Sequence, residues 1–373
     1  MIPISNPALF CTRKTMTFRN AFLKILRTAI APEILFWGLP ALMLLVVLGT
    51  MAQANMGLYE AQQAYFNSLI AWVDTPYISL PVPGGLIIMG VLTLSLTIKF
   101  LFFTPWRSEK IGIFLSHLGV LLLMYGAIAS SVFASEGFMV IREGGESNMV
   151  HSYHERRLMI DDGKQAVYDE VLADTPQAGL LDAGGLAVSS TQIMRHAALL
   201  QDKNGEIIVD EREPDKEDEA NRRAVMLDVN GKKLVVHEDM TQPVKIVSGE
   251  TEYRLALRRA MKILPFSIQL DDFHRDVYAG TDLAKNYMSE ITVIDQLKRF
   301  PSLIQMNKPL RYQGYTFYQS SFEEAADGDV TVLNVVHNPA RLFPYLGTAL
   351  LALGLLLHLC IVGFSRRTAA NTL

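Results

Sequence analysis

Apolar residues are concentrated in four long blocks that alternate with polar sequence. The blocks lie near Ile34–Ala52, Gly84–Phe103, Ile111–Phe133 and Leu342–Phe364. A bilayer core of about 30 Å needs about 20 apolar residues in a helix, so each block predicts a transmembrane helix. The sequence therefore predicts an integral membrane protein with three helices in 34–133, a short outer interfacial segment at 53–83, and a fourth helix at 341–365.

A large extramembrane domain at 134–340 is predicted between helices three and four. Its apolar and polar residues mostly alternate with a period of two, which is typical of strands. The Asn230–Gly231 pair between two alternating runs predicts a tight hairpin. We expect a mostly antiparallel β domain, either a sandwich or an open barrel. The predicted strands are Gly137–Arg142, Glu206–Val209, Ala224–Val229, Lys233–His237, Tyr253–Leu257, Phe266–Leu270, Glu290–Ile294, Gly314–Gln319 and Val330–Val336.

Two further segments have recognisable patterns. Apolar residues recur at helical spacing in Asn55–Val73, which predicts an amphipathic helix on the outer interface or a short packing helix of the extramembrane domain. The charged run Glu211–Arg223 predicts a solvated, mobile loop, with docking of a partner as the alternative.

Basic residues flank the blocks on one side. Five precede the first block, Arg107 and Lys110 lie between the second and third, and Arg366 and Arg367 follow the fourth, whereas residues 53–83 contain none. Short cytoplasmic segments are enriched in lysine and arginine. The tails at 1–33 and 366–373 are therefore predicted to be cytoplasmic, and the large domain to be periplasmic in a Gram-negative inner membrane.

Composition excludes several classes of function. The chain is 50% hydrophobic, with a mean hydropathy of +0.21 and a net charge of −4. No basic cluster is interleaved with aromatic residues, so we expect no nucleic-acid partner. The two cysteines, Cys11 and Cys360, are too few and too far apart for a CxxC site or a CxxCH haem attachment.

Two histidines lie within the apolar blocks, where an imidazole is costly and indicates a functional site. His117 comes six residues after the start of the third block, and His358 comes six residues before the end of the fourth. Both are therefore predicted about 9 Å inside the cytoplasmic boundary. They could ligate one haem iron, serve two haems, or hydrogen-bond to neighbouring helices.

Helical phase separates these two histidines. The glycine stripes are Gly112, Gly119 and Gly126 on the third helix, and Gly347 and Gly354 on the fourth. His117 lies about 140–180° from its stripe, and His358 lies within about 40° of its own. If the glycine faces pack together, His358 points into the bundle and His117 faces a partner subunit or an exposed groove. Outside the blocks, His151 and His154 (HSYHERR) are predicted to lie in a surface loop, with an external haem or propionate contact as the alternative.

Two C-terminal segments resemble a known family. Residues 265–295 read PFSIQLDDFHRDVYAGTDLAKNYMSEITVID, and residues 306–322 read MNKPLRYQGYTFYQSSF. Together they resemble the signature of the ResB (CcsB) family of cytochrome c maturation proteins, and the order of helices and outer domain matches as well. The residues that match the second block are Asn307, Pro309, Leu310, Tyr312, Gly314, Tyr315, Phe317, Tyr318, Gln319 and Ser321.

This resemblance implies a subunit that works with a ResC (CcsA) partner, moves haem b transiently to the outer face, and supports its attachment to apocytochrome c. The family's tryptophan-rich haem-handling motif belongs to the partner, and the tryptophans here are widely separated. We therefore expect a non-catalytic or partial subunit of a cytochrome c haem lyase (synthase) complex. A histidine of the third helix is a membrane haem ligand in the family, and His117 is the matching position; His358 is a weaker candidate.

Two other functions fit the same residues. One is a membrane electron-transfer subunit in which His117 and His358 hold a stable bis-histidine haem b. The other is a membrane-anchored assembly scaffold without a cofactor.

Overall fold

The computed structural model describes residues 27–28, 30–75, 77–104, 107–172, 181–183, 186–201, 207–280, 284–296, 298–323 and 328–370. The chain divides into two compact units. One comprises Met1–Ala134 with Pro339–Leu373, and the other, called the β domain below, comprises Ser135–Asn338.

Four helices of the described chain are long and apolar enough to cross a membrane, as predicted. They are α1 (Pro32–Met56), α2 (Gly85–Ile98), α3 (Ile111–Phe133) and α4 (Phe343–Ala370). A π-helical turn, Lys99–Phe103, extends α2, and a 3-10 turn, Ser108–Lys110, precedes α3. The last helix runs six residues beyond its predicted end at Phe364.

The prediction of an amphipathic helix at Asn55–Val73 is wrong for the second half of that segment. The segment forms a short helix (Leu58–Ala61), a π-helix (Gln62–Phe66) and strand β1 (Ile70–Asp74), which pairs antiparallel with β2 (Ser79–Pro83). Thr75 Oγ1 donates to the Ile78 carbonyl oxygen at 2.6 Å across the turn. Ala71 is fully buried whereas Trp72 is 57% exposed. This alternation belongs to a strand, and the helical spacing of the apolar residues concealed it.

Helices α3 and α4 run antiparallel and pack through their glycine stripes. A Cβ atom on Gly119 would lie 2.6 Å from the Leu351 backbone nitrogen and 2.7 Å from the Gly347 carbonyl oxygen. Backbone atoms cannot move aside as a flexible side chain can, so this approach requires glycine. The two glycine faces therefore meet, which is the condition on which the predicted directions of His117 and His358 depend.

The β domain contains sixteen strands among its described residues, and their ladders are antiparallel, as predicted. The strands are β3 (Ser135–Arg142), β4 (Glu146–Asp161), β5 (Ala166–Val171), β6 (Leu181–Ala183), β7 (Leu186–Met194), β8 (Ala197–Gln201), β9 (Ile207–Glu211), β10 (Ala224–Val229), β11 (Lys232–His237), β12 (Val244–Ser248), β13 (Thr251–Val277), β14 (Ala284–Asp295), β15 (Lys298–Gln305), β16 (Leu310–Tyr312), β17 (Tyr315–Glu323) and β18 (Val330–His337).

The largest sheet has ten strands. Its main path runs β15-β14-β13-β4-β3-β18-β17-β16, with β12 paired to β13 and β5 paired to β4. A second sheet has the order β11-β10-β7-β6, and β8 and β9 form a separate ribbon. The predicted hairpin is confirmed between β10 and β11, where Asn230 (φ 51°) and Gly231 (φ 81°) both adopt the left-handed conformation of a type I′ turn.

Two hydrophobic cores lie along the long pair β4–β13. One contains Phe266 and Phe317, and the other contains Leu158 and Leu255. Between them, Arg259 pairs with Arg156 while Met261 pairs with His151, so residues 152–155 of β4 oppose a single residue of β13. Such a bulge bends a strand and redirects its side chains.

The glycine contact predicts a sharp difference between two conservative substitutions. Gly119→Ala should destabilise the helical unit by about 1–3 kcal/mol, because its methyl group overlaps the α4 backbone. Gly90→Ala on α2 is the matched control, since a Cβ there meets nothing within 4 Å. Helix propensity should make that change neutral or stabilising by up to about 1 kcal/mol. Denaturant unfolding in micelles measures both, and equal losses would contradict the packing.

Candidate functional site

His117 of α3 has the protonation pattern of a metal ligand. Its half-buried ring donates from Nδ1 to the Ile113 carbonyl oxygen at 3.0 Å. A carbonyl only accepts, so this hydrogen bond places the proton on Nδ1 and leaves a lone pair on Nε2. None of the described residues forms a hydrogen bond to Nε2. Histidines that ligate metals are commonly held in this way.

The same residue faces away from α4. The glycine stripe of α3 contacts α4, and His117 lies on the opposite side of the helix. By helical phase it is within about 60° of Phe114, whose ring stacks on Phe100 beside α2 at 4.7 Å. His117 therefore lies on the α2 side of α3, half-buried rather than enclosed by all four helices.

His358 lies at the contact between α3 and α4, and its depth differs from that of His117. A Cβ atom on Gly112 would contact the His358 backbone, and one on Gly354 would lie 2.5 Å from the Ser116 backbone nitrogen. His358 is thus level with Gly112, five residues and about 8 Å along the axis from His117. The prediction of equal depth is wrong, because it counted from hydropathy boundaries and α4 continues past Phe364.

The imidazole of His358 is incompletely satisfied. Its Nδ1 atom is buried and has no hydrogen-bond partner in the described part of the chain. An unpaired buried polar group costs about 1–3 kcal/mol. His358 of α4 lies against the glycine face of α3, whereas His117 lies on the opposite side of α3. The two imidazoles therefore do not converge on one position.

A buried ionic cluster, called the Arg156 cluster, ties β4 to the second sheet. Arg156 is fully buried and donates from Nε to Glu238, whose side chain is 4% exposed. Its Nη1 donates to the Tyr153 carbonyl oxygen at 2.9 Å, and its Nη2 donates to the Asn221 carbonyl oxygen at 3.3 Å. A buried guanidinium is tolerated when paired and hydrogen-bonded in this way.

Asp218 extends this cluster. Its carboxylate accepts a hydrogen bond from His154 Nδ1 at 2.7 Å and another from Arg223 Nη2 at 3.3 Å. Burial would raise the pKa of Asp218, but the hydrogen bond from His154 and the charge of Arg223 outweigh it and lower that pKa. The carboxylate therefore contributes stability above its unfolded-state pKa of about 3.9, and this contribution is lost as the pH falls through the lower folded pKa.

These contacts correct two predictions. HSYHERR is not a surface loop, because His151 and His154 lie in β4 within the ten-stranded sheet. The run Glu211–Arg223 is not wholly solvated, because Asp218 and Arg223 are buried and join the Arg156 cluster.

His151 occupies an apolar position on β4. Its ring centroid lies 5.5 Å from that of Phe138 on the neighbouring strand β3. Burial, and secondarily the charge of Arg259, lower the pKa of His151 below its ordinary value of about 6.5. The imidazole is therefore neutral at neutral pH.

Comparison with known proteins places the C-terminal half of the β domain in a family. Residues 224–330 match the ResB-like family. Protein NrfI of Wolinella succinogenes is 37% identical over 98 residues, which are 26% of this chain and 11% of that protein's length. The chain thus spans about a tenth of the curated relative that it matches.

The ResB-like region includes the block at 306–322, and its geometry gives the block a structural role. Gln313 (φ 45°) and Gly314 (φ 85°) form the tight turn between β16 and β17. Tyr312 donates to Asp295 Oδ2 at 2.7 Å, and its ring meets Phe266 edge-on at 4.9 Å. The block therefore closes the core.

Sequence reasoning missed the Arg156 cluster, although one signal was present. Arg156, Leu158 and Ile160 are spaced by two and are all buried on one face of β4. This alternation indicates a strand with an inward arginine. The many polar residues of HSYHERR favoured a surface loop instead. The burial of Arg156 could not be recognised locally, because its partner Glu238 is 82 residues away.

The Arg156 cluster predicts unequal effects for two adjacent arginines. Arg156→Met should destabilise the protein by about 3–5 kcal/mol, because among the described residues it removes the one cation that is hydrogen-bonded to the buried Glu238 carboxylate and leaves only Arg222 and Arg259, at 3.6 and 3.7 Å. Arg157→Met is the matched control and should cost about 1 kcal/mol or less, since Arg157 and its partner Asp169 are 36% and 42% exposed. Chemical denaturation followed by near-UV circular dichroism measures both, and similar losses would show that burial does not set the cost.

Proposed function

We propose that this ResB-like chain is a membrane subunit of a cytochrome c maturation complex, and that His117 ligates haem b transiently within the membrane. One observation carries the proposal: the Ile113 carbonyl holds the proton of His117 on Nδ1, which leaves Nε2 available to iron in an apolar helix. The match of residues 224–330 to the ResB-like family supports the assignment to cytochrome c maturation.

The chemistry of transfer explains why a ligand is needed. Moving haem through hydrocarbon without partners would leave its iron and propionates without compensating interactions, which is costly. A neutral imidazole supplies an iron ligand without adding charge to the membrane. His117 would bind and orient haem, and the hydrogen bond to Ile113 would keep the ring in the ligating tautomer.

The second ligand on this proposal comes from a ResC/CcsA-like membrane partner. His358 is displaced from His117 by about 8 Å along α3 and lies at the face that contacts α4. That arrangement argues against an electron-transfer subunit in which both histidines hold one haem b. The partner would also contribute the tryptophan-rich motif, and this chain would be a partial or non-catalytic subunit of the haem lyase complex.

The β domain would act on the periplasmic side, with both termini in the cytoplasm. The one-sided distribution of lysine and arginine supports this orientation. There the β domain would hold the partner or present apocytochrome c close to the site of haem attachment.

Haem retention tests the role of His117. We expect the complex purified with its partner, without added haem, to carry at least tenfold less haem in His117→Ala, because the axial ligand of the co-purified membrane haem is removed. His358→Ala should retain haem, and so should His274→Ala, an exposed control paired with Asp272 in the β domain. Haem per chain is measured by absorbance after pyridine extraction.

Other outcomes would contradict the proposal in distinct ways. Full haem content in His117→Ala would exclude this residue as a required ligand. Stoichiometric haem in the chain purified alone, lost only when both membrane histidines are replaced, would identify the electron-transfer subunit. Full maturation by a haem-free complex of the double variant would identify a scaffold without a cofactor.

A further inference from the structure

The ten-stranded sheet presents an apolar outer face that the described residues leave uncovered. Register defines its first row across five strands: Tyr318, Asn334, Phe138, His151 and Met261 are successive cross-strand partners. A second row lies two residues further along these strands and contains Val332, Val140, Met149 and Ile263. These nine residues are called the outer face below.

The outer face is unusual because the opposite face of the same strands already forms a core. Met139, Phe317 and Leu333 alternate with outer-face residues and are buried in that core. A sheet with one covered face normally carries polar side chains on the other. Here Ile263 is 68% exposed and Met261 is 46% exposed. A continuous apolar patch of this kind marks a binding surface.

Two polar groups within the patch have no hydrogen-bond partner among the described residues, and one of them is buried. The imidazole of His151 has no hydrogen bond to any described residue, although its ring contacts Phe138. The Oδ1 atom of Asn334 is buried and lacks a donor among the described residues. Beside them, the Arg259 guanidinium lies 5.5 Å from the centre of the Phe138 ring, but it donates to the Tyr153 and Glu219 carbonyl oxygens and lies 3.7 Å from Glu238. The His151 imidazole therefore lies between aromatic, thioether and aliphatic groups.

We propose that the outer face is a second haem-binding surface, in which His151 ligates iron and Phe138, Met149, Met261 and Ile263 cover the porphyrin. Strands β3, β4 and β13 carry these side chains over about 10 Å, because neighbouring strands are about 4.8 Å apart. That width suits a flat macrocycle. The proposal rests on the proposed function, since it takes the same haem as ligand but places it on the β domain.

The combination of groups favours haem over other occupants. A lipid or an apolar peptide would cover the methionine and isoleucine side chains but would leave the His151 nitrogen without a hydrogen-bond partner in an apolar contact, which is unfavourable. In haem, the iron would coordinate that nitrogen, and the porphyrin would cover the surrounding apolar side chains.

Titration of the full chain in nanodiscs with added haem loads the outer face, which would lose its haem during purification, and so separates this surface from the membrane site. Wild type should bind two haems, His117→Ala one, and the His117→Ala/His151→Ala variant none. His151→Gln in the His117→Ala background keeps most of the side-chain volume and should weaken the remaining site at least tenfold. His274→Ala in the same background is the control and should leave affinity unchanged. The readouts are the Soret band shift on ligation and the dissociation constant.

The alternative outcomes are distinguishable. If His117→Ala abolishes all haem binding, the proposed haem site on the outer face is excluded, while the proposed membrane function stands. If His151→Gln and Met261→Glu both leave the His117→Ala affinity unchanged, a different group holds the second haem and the proposal fails. If His151→Ala alone abolishes all binding, the membrane site fails instead. Circular dichroism of each variant confirms that the β domain remains folded.

Discussion

Backbone contact between α3 and α4 sets the positions of both membrane histidines. Glycines 112, 119, 347 and 354 let the two helices approach until backbone meets backbone. That approach fixes the register, which makes His358 level with Gly112 and separates it from His117 by about 8 Å. It also directs His117 toward the other side of α3. Two histidines that look equivalent along the sequence are therefore inequivalent in the fold.

Within the β domain, the long pair β4–β13 has the corresponding role. Its two strands run through both hydrophobic cores, so neither core forms independently of it. The bulge at residues 152–155 lies between the cores, and the Arg156 cluster secures it against the second sheet. On β4, His154 bonds to buried Asp218, whereas His151 lies on the outer face. One irregularity in one strand thus separates a structural histidine from a candidate ligand.

Local sequence patterns predicted those features whose physical cause is local. The four apolar blocks became helices because hydrophobic length alone specifies a span, and Asn230–Gly231 formed its hairpin because both residues tolerate positive φ. The ends of helices were less accessible, since hydropathy marks where lipid contact ends and not where a helix ends. The burial of Arg156 could not be read locally, because it depends on Glu238 in a distant strand. For the same reason, the outer face could be recognised only from the pairing register of strands that are distant in sequence.

The central claim is that the imidazole of residue 117 is an iron ligand, and chemical rescue tests it most directly. In His117→Gly the side chain is removed and a space is left into which free imidazole can diffuse. If His117 ligates haem, adding imidazole should restore haem to the complex together with the absorption spectrum of the wild type. Haem that stays absent at saturating imidazole, or haem that was never lost, would contradict the claim.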